Sequence, residues 1–185
     1  MLINEGDWGD SLFVVLGGQL KVFSINGDGN QVTYGILGRG DFFGEMSLDG
    51  GPRSASVQAL EKCECAVLAR SAVREHALAN PEFALDLVNI VIHRAREATR
   101  VARALALDSA YQRLVQFLDM HAKPPAKGEA PQLRHLTHQE IGSRIGTSRE
   151  TAGRLLRDLE KAGSIHITRY TLTLLKPLAP RAPRQ

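Results

Sequence analysis

Thr137-His138-Gln139-Glu140-Ile141-Gly142-Ser143-Arg144-Ile145-Gly146-Thr147-Ser148-Arg149-Glu150-Thr151-Ala152-Gly153-Arg154-Leu155-Leu156-Arg157 holds two T-x-x-E capping boxes, at Thr137 to Glu140 and Thr147 to Glu150. In such a box the hydroxyl and the carboxylate satisfy each other's end of a helix start, so each predicts a helix N-terminus. Gly146 supplies the turn between the two helices, Ile141 and Ile145 face inward on the first, and Leu155, Leu156 and Leu159 anchor the second. That pattern is a helix-turn-helix. Arg149, Glu150, Gly153, Arg154 and Arg157 are left on or near the opposite face. An Arg fork donates two hydrogen bonds to guanine O6 and N7, and a Glu carboxylate accepts from cytosine N4. The hydroxyls of Thr137, Thr147, Ser148 and Thr151 sit where helix starts bind phosphates. The alternative is a helical hairpin with ordinary caps and surface arginines.

Charge around this motif favours a polyanion. Residues 122–185 carry 12 Lys+Arg against 5 Asp+Glu, whereas residues 1–121 carry 11 against 15. After the motif, Ile165 to Leu175 is rich in Thr and Ile and reads as a β wing, and the proline-bearing tail from Lys176 is expected to fray. Before it, Lys123 to Pro131 has the composition of a linker. From Glu82 to Lys123 there is neither Gly nor Pro, a run of 42 residues that follows an Asn80-Pro81-Glu82 helix start. Ala84, Val88, Val91, Ala95, Ala98, Ala102 and Leu105 recur in heptad steps within it. They fit either a helix packed on its own domain or the seam of a homodimer, and Ser109-Ala110-Tyr111-Gln112 marks a break near Asp108.

The N-terminal third has the opposite texture. Twelve of 17 glycines lie between Gly6 and Gly51, among short apolar runs at Leu12–Leu16, Leu20–Ile25, Ala55–Leu60 and Cys63–Leu68. Asn26-Gly27-Asp28-Gly29 reads as a hairpin turn. The class is α+β, with an antiparallel β-roll, a long helix and a winged helix-turn-helix. Composition excludes several functions. No apolar run approaches a membrane span, and Met1 to Asp10 lacks the pattern of a secretory signal, so a cytoplasmic protein is expected. Two cysteines make no disulfide framework. Cys63 and Cys65 are read as packing residues, and all six histidines lie outside the strand-rich first 70 residues, so no metal and no catalytic constellation is expected.

Gly40-Asp41-Phe42-Phe43-Gly44-Glu45-Met46-Ser47-Leu48, followed by Gly51-Pro52-Arg53-Ser54-Ala55, carries a resemblance. Together with Gln139-Glu140-Ile141-Gly142 and Gly146-Thr147-Ser148-Arg149-Glu150-Thr151, it resembles the cyclic-AMP receptor protein and fumarate–nitrate regulator (Crp/Fnr) family. The resemblance covers nearly the whole chain. It implies residues 1–80 as an effector β-roll, 81–108 as a dimerisation helix and 109–185 as the DNA-binding domain with its frayed tail.

It further implies cyclic AMP as effector, on Gly44, Glu45, Met46, Ser47, Arg53, Ser54, Ala55 and Thr99. Arg53 would meet the cyclic phosphate, Ser54 would add a hydroxyl, and Glu45 would accept from the ribose 2′-OH. A structural Glu45–Arg53 pair without ligand is the competing reading. Duplex DNA with palindromic TGTGA-like half-sites would be read by Thr137, His138, Gln139, Thr147, Ser148, Arg149, Glu150, Thr151 and Arg154. A homodimer through residues 84–105 and contact with RNA polymerase complete the implied partners. Three departures stand out: Ala98 replaces a hydroxyl that contacts the base, His138 replaces an arginine, and the chain starts almost on the Glu5-Gly6-Asp7 turn. Cyclic di-GMP, another ligand or none, and control of a protein partner, remain as alternatives.

Overall fold

The computed structural model describes residues 1–124, 126–134, 136–169 and 171–178, and the chain divides into two compact units, 1–99 and 100–185. In the first, β1 (Ser11–Gly17), β4 (Phe42–Phe43) and β6 (Glu64–Ala69) form one antiparallel sheet in the order β4-β1-β6. A second antiparallel sheet has the order β3-β2-β5, from β2 (Leu20–Ile25), β3 (Gln31–Leu37) and β5 (Ser56–Ala59). Val15 and Phe43 from one sheet and Leu20 and Val57 from the other share a single buried cluster, so the sheets close on one core as a roll. The expected hairpin is present: Asn26 Oδ1 accepts from the Asp28 and Asn30 amides at 3.1 and 2.9 Å. Cys63 and Cys65 are free thiols packed against this core, and burial, then the neighbouring Cys63 and Glu64, pushes the Cys65 thiol up.

Helix α1 (Arg70–Ala79) was not anticipated, because only Val73 is buried on it and its sequence has no N-cap hydroxyl. It ends at Asn80, and Pro81 opens α2 (Pro81–Leu107), whose 27 residues include none that is buried. The break near Asp108 is where the sequence puts it. Ser109 caps α3 (Ala110–His121) in a complete box with Gln112.

In the second unit, α3 packs with α4 (His138–Ile145) and α5 (Arg149–Lys161). The wing is β8 (Ile165–Ile167) and β9 (Thr171–Leu174), in a sheet of order β7-β9-β8. Strand β7 (Gln132–Arg134) begins immediately after the stretch that reads as linker. Reciprocal backbone bonds between Lys123 and Gln132 (3.1 and 2.9 Å) close the loop before it. The tail does not fray at Lys176: Leu178 is buried with Leu114, Leu156 and Leu172, and residues 179–185 lie outside the described residues.

Leu156 is 1% exposed in this core. Leu156→Ala is expected to cost about 2–5 kcal/mol, and exposed Leu175→Ala less than about 0.5 kcal/mol. Urea unfolding followed by helical circular dichroism checks both, since the one tryptophan, Trp8, lies in the other unit.

Candidate effector and nucleic-acid sites

Gly44 follows β4 with φ +88° and starts a single 3-10 turn, Glu45–Ser47. Glycine is required there twice over, by the left-handed backbone and by space. A Cβ would lie 2.6 Å from Arg53 Nη1 and 2.7 Å from the Ser11 carbonyl. Arg53 is 7% exposed, and its Nη1 donates to the carbonyls of Ser11 (3.0 Å) and Gly44 (3.1 Å). Its guanidinium also lies 5.7 Å from the Phe13 ring centroid. Ser47 is buried, Met46 and Ser54 are exposed, and the Ser54 hydroxyl donates to Met46 Sδ at 3.1 Å. Ala55 is half-buried beside them in the chain. The segment thus brings a buried cation, a hydroxyl and the start of a short turn together.

The alternative Glu45–Arg53 pair does not form. Glu45 Oε1 instead meets Arg94 Nη1 at 2.5 Å, and Arg94 Nη2 donates to the Phe42 carbonyl with the guanidinium 4.8 Å above the Phe42 ring. The reason is geometric: Arg53 is turned onto two backbone carbonyls, while α2 delivers Arg94 to the cassette. Arg94 has no signal in local sequence, because 49 positions separate it from Glu45. Thr99 is exposed on α2 and donates to the Ala95 carbonyl at 2.9 Å. No hydrogen bond between it and the cassette occurs among the described residues.

In the second unit Thr137 caps α4 as expected: its Oγ1 accepts from the Glu140 amide (3.2 Å), and its amide donates to Glu140 Oε2 (2.7 Å). Gly146 ends that helix in the left-handed region, φ +63°. The second box is displaced by one residue. The Thr147 amide is bound to the Gly142 carbonyl at 2.9 Å, which keeps Thr147 in the turn, so Ser148 becomes the cap and accepts from the Thr151 amide at 3.1 Å. Glu150 therefore has no reciprocal role and its side chain is exposed, like those of Arg149, Arg154 and Arg157.

These residues line a concave surface of about 540 Å³ with His138, Thr151 and Gly153. Gly153 is buried there rather than displayed, and a Cβ on it would come within 3.0 Å of His138 Nδ1. Gln139 is exposed next to His138.

Arg113 was also missed by sequence reasoning. From α3 it donates to the carbonyls of Asp108 (2.5 Å), Ile145 (2.7 Å) and Gly146 (3.4 Å). One guanidinium therefore joins the end of the long helix to the turn of the helix-turn-helix. Among the described residues, no group of three or more His, Cys, Asp or Glu is placed to hold a metal ion, and no helix is long and apolar enough to cross a membrane.

A roll with a glycine-started turn over a buried arginine, followed by a long helix and a winged helix-turn-helix, is the architecture of a DNA-binding regulator with a separate N-terminal domain. The comparisons agree at domain level: residues 1–80 match the cyclic nucleotide-binding domain and residues 112–179 the Crp-like helix-turn-helix domain. The chain is 34% identical to the cAMP-activated global transcriptional regulator CRP of Haemophilus influenzae, over 94% of this chain and 79% of that protein. It is 32% identical to the cAMP-activated global transcriptional regulator Vfr of Pseudomonas aeruginosa, over 94% and 84%. Among solved structures, the c-di-GMP responsive global regulator CLP of Xanthomonas campestris superposes with a TM-score of 0.84 at 26% identity, covering 94% of this chain and 88% of that one. The chain belongs to the Crp/Fnr family. It is a DNA-binding transcription regulator with a cyclic nucleotide-binding domain, and the relatives named are regulators rather than enzymes.

Gly44→Ala combines backbone strain with the two short Cβ contacts. It is expected to lower stability by about 1–3 kcal/mol. Gly38→Ala, where nothing lies within 4 Å of an added Cβ, should change it little. Thermal unfolding of the two variants measures the difference.

Proposed function

We propose that the protein is a homodimeric regulator that binds a cyclic nucleotide, cyclic AMP first among candidates, at the Gly44–Ala55 cassette and reads a palindromic DNA site. The observation that carries this is the Glu45–Arg94 ion pair, because it ties the cassette to the helix proposed to form the dimer. In this reading the cyclic phosphate lies against the turn begun by Gly44, with Glu45, Met46 and Ser47 forming it and Arg53, Ser54 and Ala55 completing the cradle. The ribose 2′-OH donates to the Glu45 carboxylate, which Arg94 orients. Thr99 serves the base, and Ala98 beside it offers no hydrogen bond.

The dimer reading rests on α2, where Leu85, Val88, Val91 and Leu105 are 63, 52, 48 and 44% exposed in the single chain. An apolar stripe of that length costs solvation unless covered. The small Ala95, Ala98 and Ala102 let two copies approach closely. Effector binding would shift the packing of the paired helices, and the link from Asp108 through Arg113 would pass that shift to the recognition helices. Successive major-groove faces lie about 34 Å apart, so small changes in separation alter affinity.

Arg149, Glu150 and Arg154 read base edges, and Thr137, His138, Gln139, Thr147, Ser148 and Thr151 contact backbone phosphates. The protein acts in the cytoplasm, with RNA polymerase as its downstream partner. Cyclic di-GMP is the second reading, favoured by the likeness to CLP.

The test is binding to a labelled TGTGA-palindrome duplex at two salt concentrations, without nucleotide and with cyclic AMP or cyclic di-GMP. Tightening by one nucleotide supports the reading and names the effector; equal affinity in all three overturns the effector assignment. Arg149→Ala is expected to cost about 1–3 kcal/mol per half-site and to relax base choice. Unchanged preference across half-site variants contradicts its role.

A further inference from the structure

We propose that a second concavity of the DNA-binding unit, between the end of α3, β7 and α4, binds a small organic oxyanion with an apolar body, a carboxylate or a phosphate monoester. Its volume is about 520 Å³, and it is lined by His121, Lys123, Pro124, Gln132, Leu133, Leu136 and Arg144. That volume falls within the range of small-molecule sites. Of these residues, Lys123 and Arg144 are basic, His121 offers an imidazole, and none is acidic.

Arg144 and His121 pack against one core ring. Arg144 lies with its guanidinium carbon 5.8 Å from the Phe117 ring centroid, and the His121 ring stacks on the same phenylalanine at 4.4 Å and 28°. His121 Nδ1 lies 2.9 Å from the Phe117 carbonyl, which can only accept, so Nδ1 carries the hydrogen and Nε2 is the remaining acceptor or proton site. The Lys123–Gln132 backbone pair fixes the rim opposite. Phe117 is 5% exposed, which anchors both stacked groups to the core.

Arg144 itself is the feature that calls for a ligand. It is half-buried, and its guanidinium N–H groups find no hydrogen-bond acceptor among the described residues. The nearest acid acting on it, Glu140, already accepts from the Thr137 amide and hydroxyl at 2.7 and 2.9 Å. Burial lowers the Arg144 pKa against that opposing effect of Glu140. A planar fork left without an acceptor suits a bidentate oxyanion, with Lys123 as a second point charge and the Gln132 amide as a neutral donor. Leu133, Leu136 and Pro124 then receive the apolar body. Nothing in this arrangement depends on the cassette or on the duplex-reading face, so the site stands or falls independently of the proposed effector.

Nuclear magnetic resonance of the full chain tests it, following the His121 Cε1–H signal, assigned by its loss in His121→Gln. Three ligands share a phenyl body: phenyl phosphate, benzoate and neutral benzamide, each titrated to about 10 mM. Saturable shifts with phenyl phosphate or benzoate, and none with benzamide, are expected. The tighter of the two anions distinguishes a phosphate monoester from a carboxylate ligand. Arg144→Gln and Lys123→Gln should each weaken binding about tenfold. Lys123 is exposed, so its replacement keeps the fold should the Arg144 variant lose it. Absence of a saturable shift, an equal response to benzamide, or unchanged affinity in Lys123→Gln would overturn the proposal.

Discussion

The Glu45–Arg94 ion pair is the contact on which the proposed coupling of cassette and long helix depends. Glu45 has a side chain only 9% exposed, and a buried carboxylate is costly unless it is paired and hydrogen-bonded. Arg94 is its partner, and is itself positioned by the Phe42 carbonyl and ring. The pair joins a turn in the roll to a helix, and in the proposed function it is through this contact that occupancy of the turn would act on the helix. Arg53, by contrast, is held by the Ser11 and Gly44 carbonyls and lies over the Phe13 ring, so its position is set by the roll itself. The cassette therefore contains one arginine fixed to the sheet and one fixed to the long helix.

A second arginine attachment lies where α2 stops. Arg113 grips the Asp108 carbonyl where the long helix stops and the Ile145 and Gly146 carbonyls where the first recognition-motif helix stops. Charge-assisted bonds to helix-terminal carbonyls satisfy acceptors that have no intrahelical donor. They also make the turn of the motif and the end of α2 move together. Leu105 reinforces this, since its Cδ2 would lie 2.5 Å from a Cβ at Gly146. Helix α2 thus has one polar attachment at its middle, through Arg94, and one where it stops, at Asp108, with exposed Leu85, Val88 and Val91 preceding the first.

Much of this was legible in the sequence, and what was not has a common cause. Capping boxes, a hairpin turn and a glycine-started cassette are local, so Thr137, Ser109, Asn26 and Gly44 could be read in order along the chain. The second box failed by one residue because Gly142 binds the Thr147 amide, a contact that a T-x-x-E pattern does not encode. Helix α1 escaped notice because a single buried side chain leaves almost no periodic signal. Strand β7 escaped because it is three residues long and defined only by its partner β9. Arg94 and Arg113 were invisible for a different reason: their acceptors are backbone carbonyls and one carboxylate that only the fold brings near.

The most direct measurement is the ratio of duplex affinity with and without saturating cyclic AMP, compared between the natural chain and Arg94→Gln. If the ion pair couples the cassette to the long helix, the substitution should bring that ratio close to one while leaving duplex binding without nucleotide nearly unchanged. An undiminished ratio in Arg94→Gln would contradict the account, because the nucleotide signal would then reach the DNA-binding unit without passing through this contact.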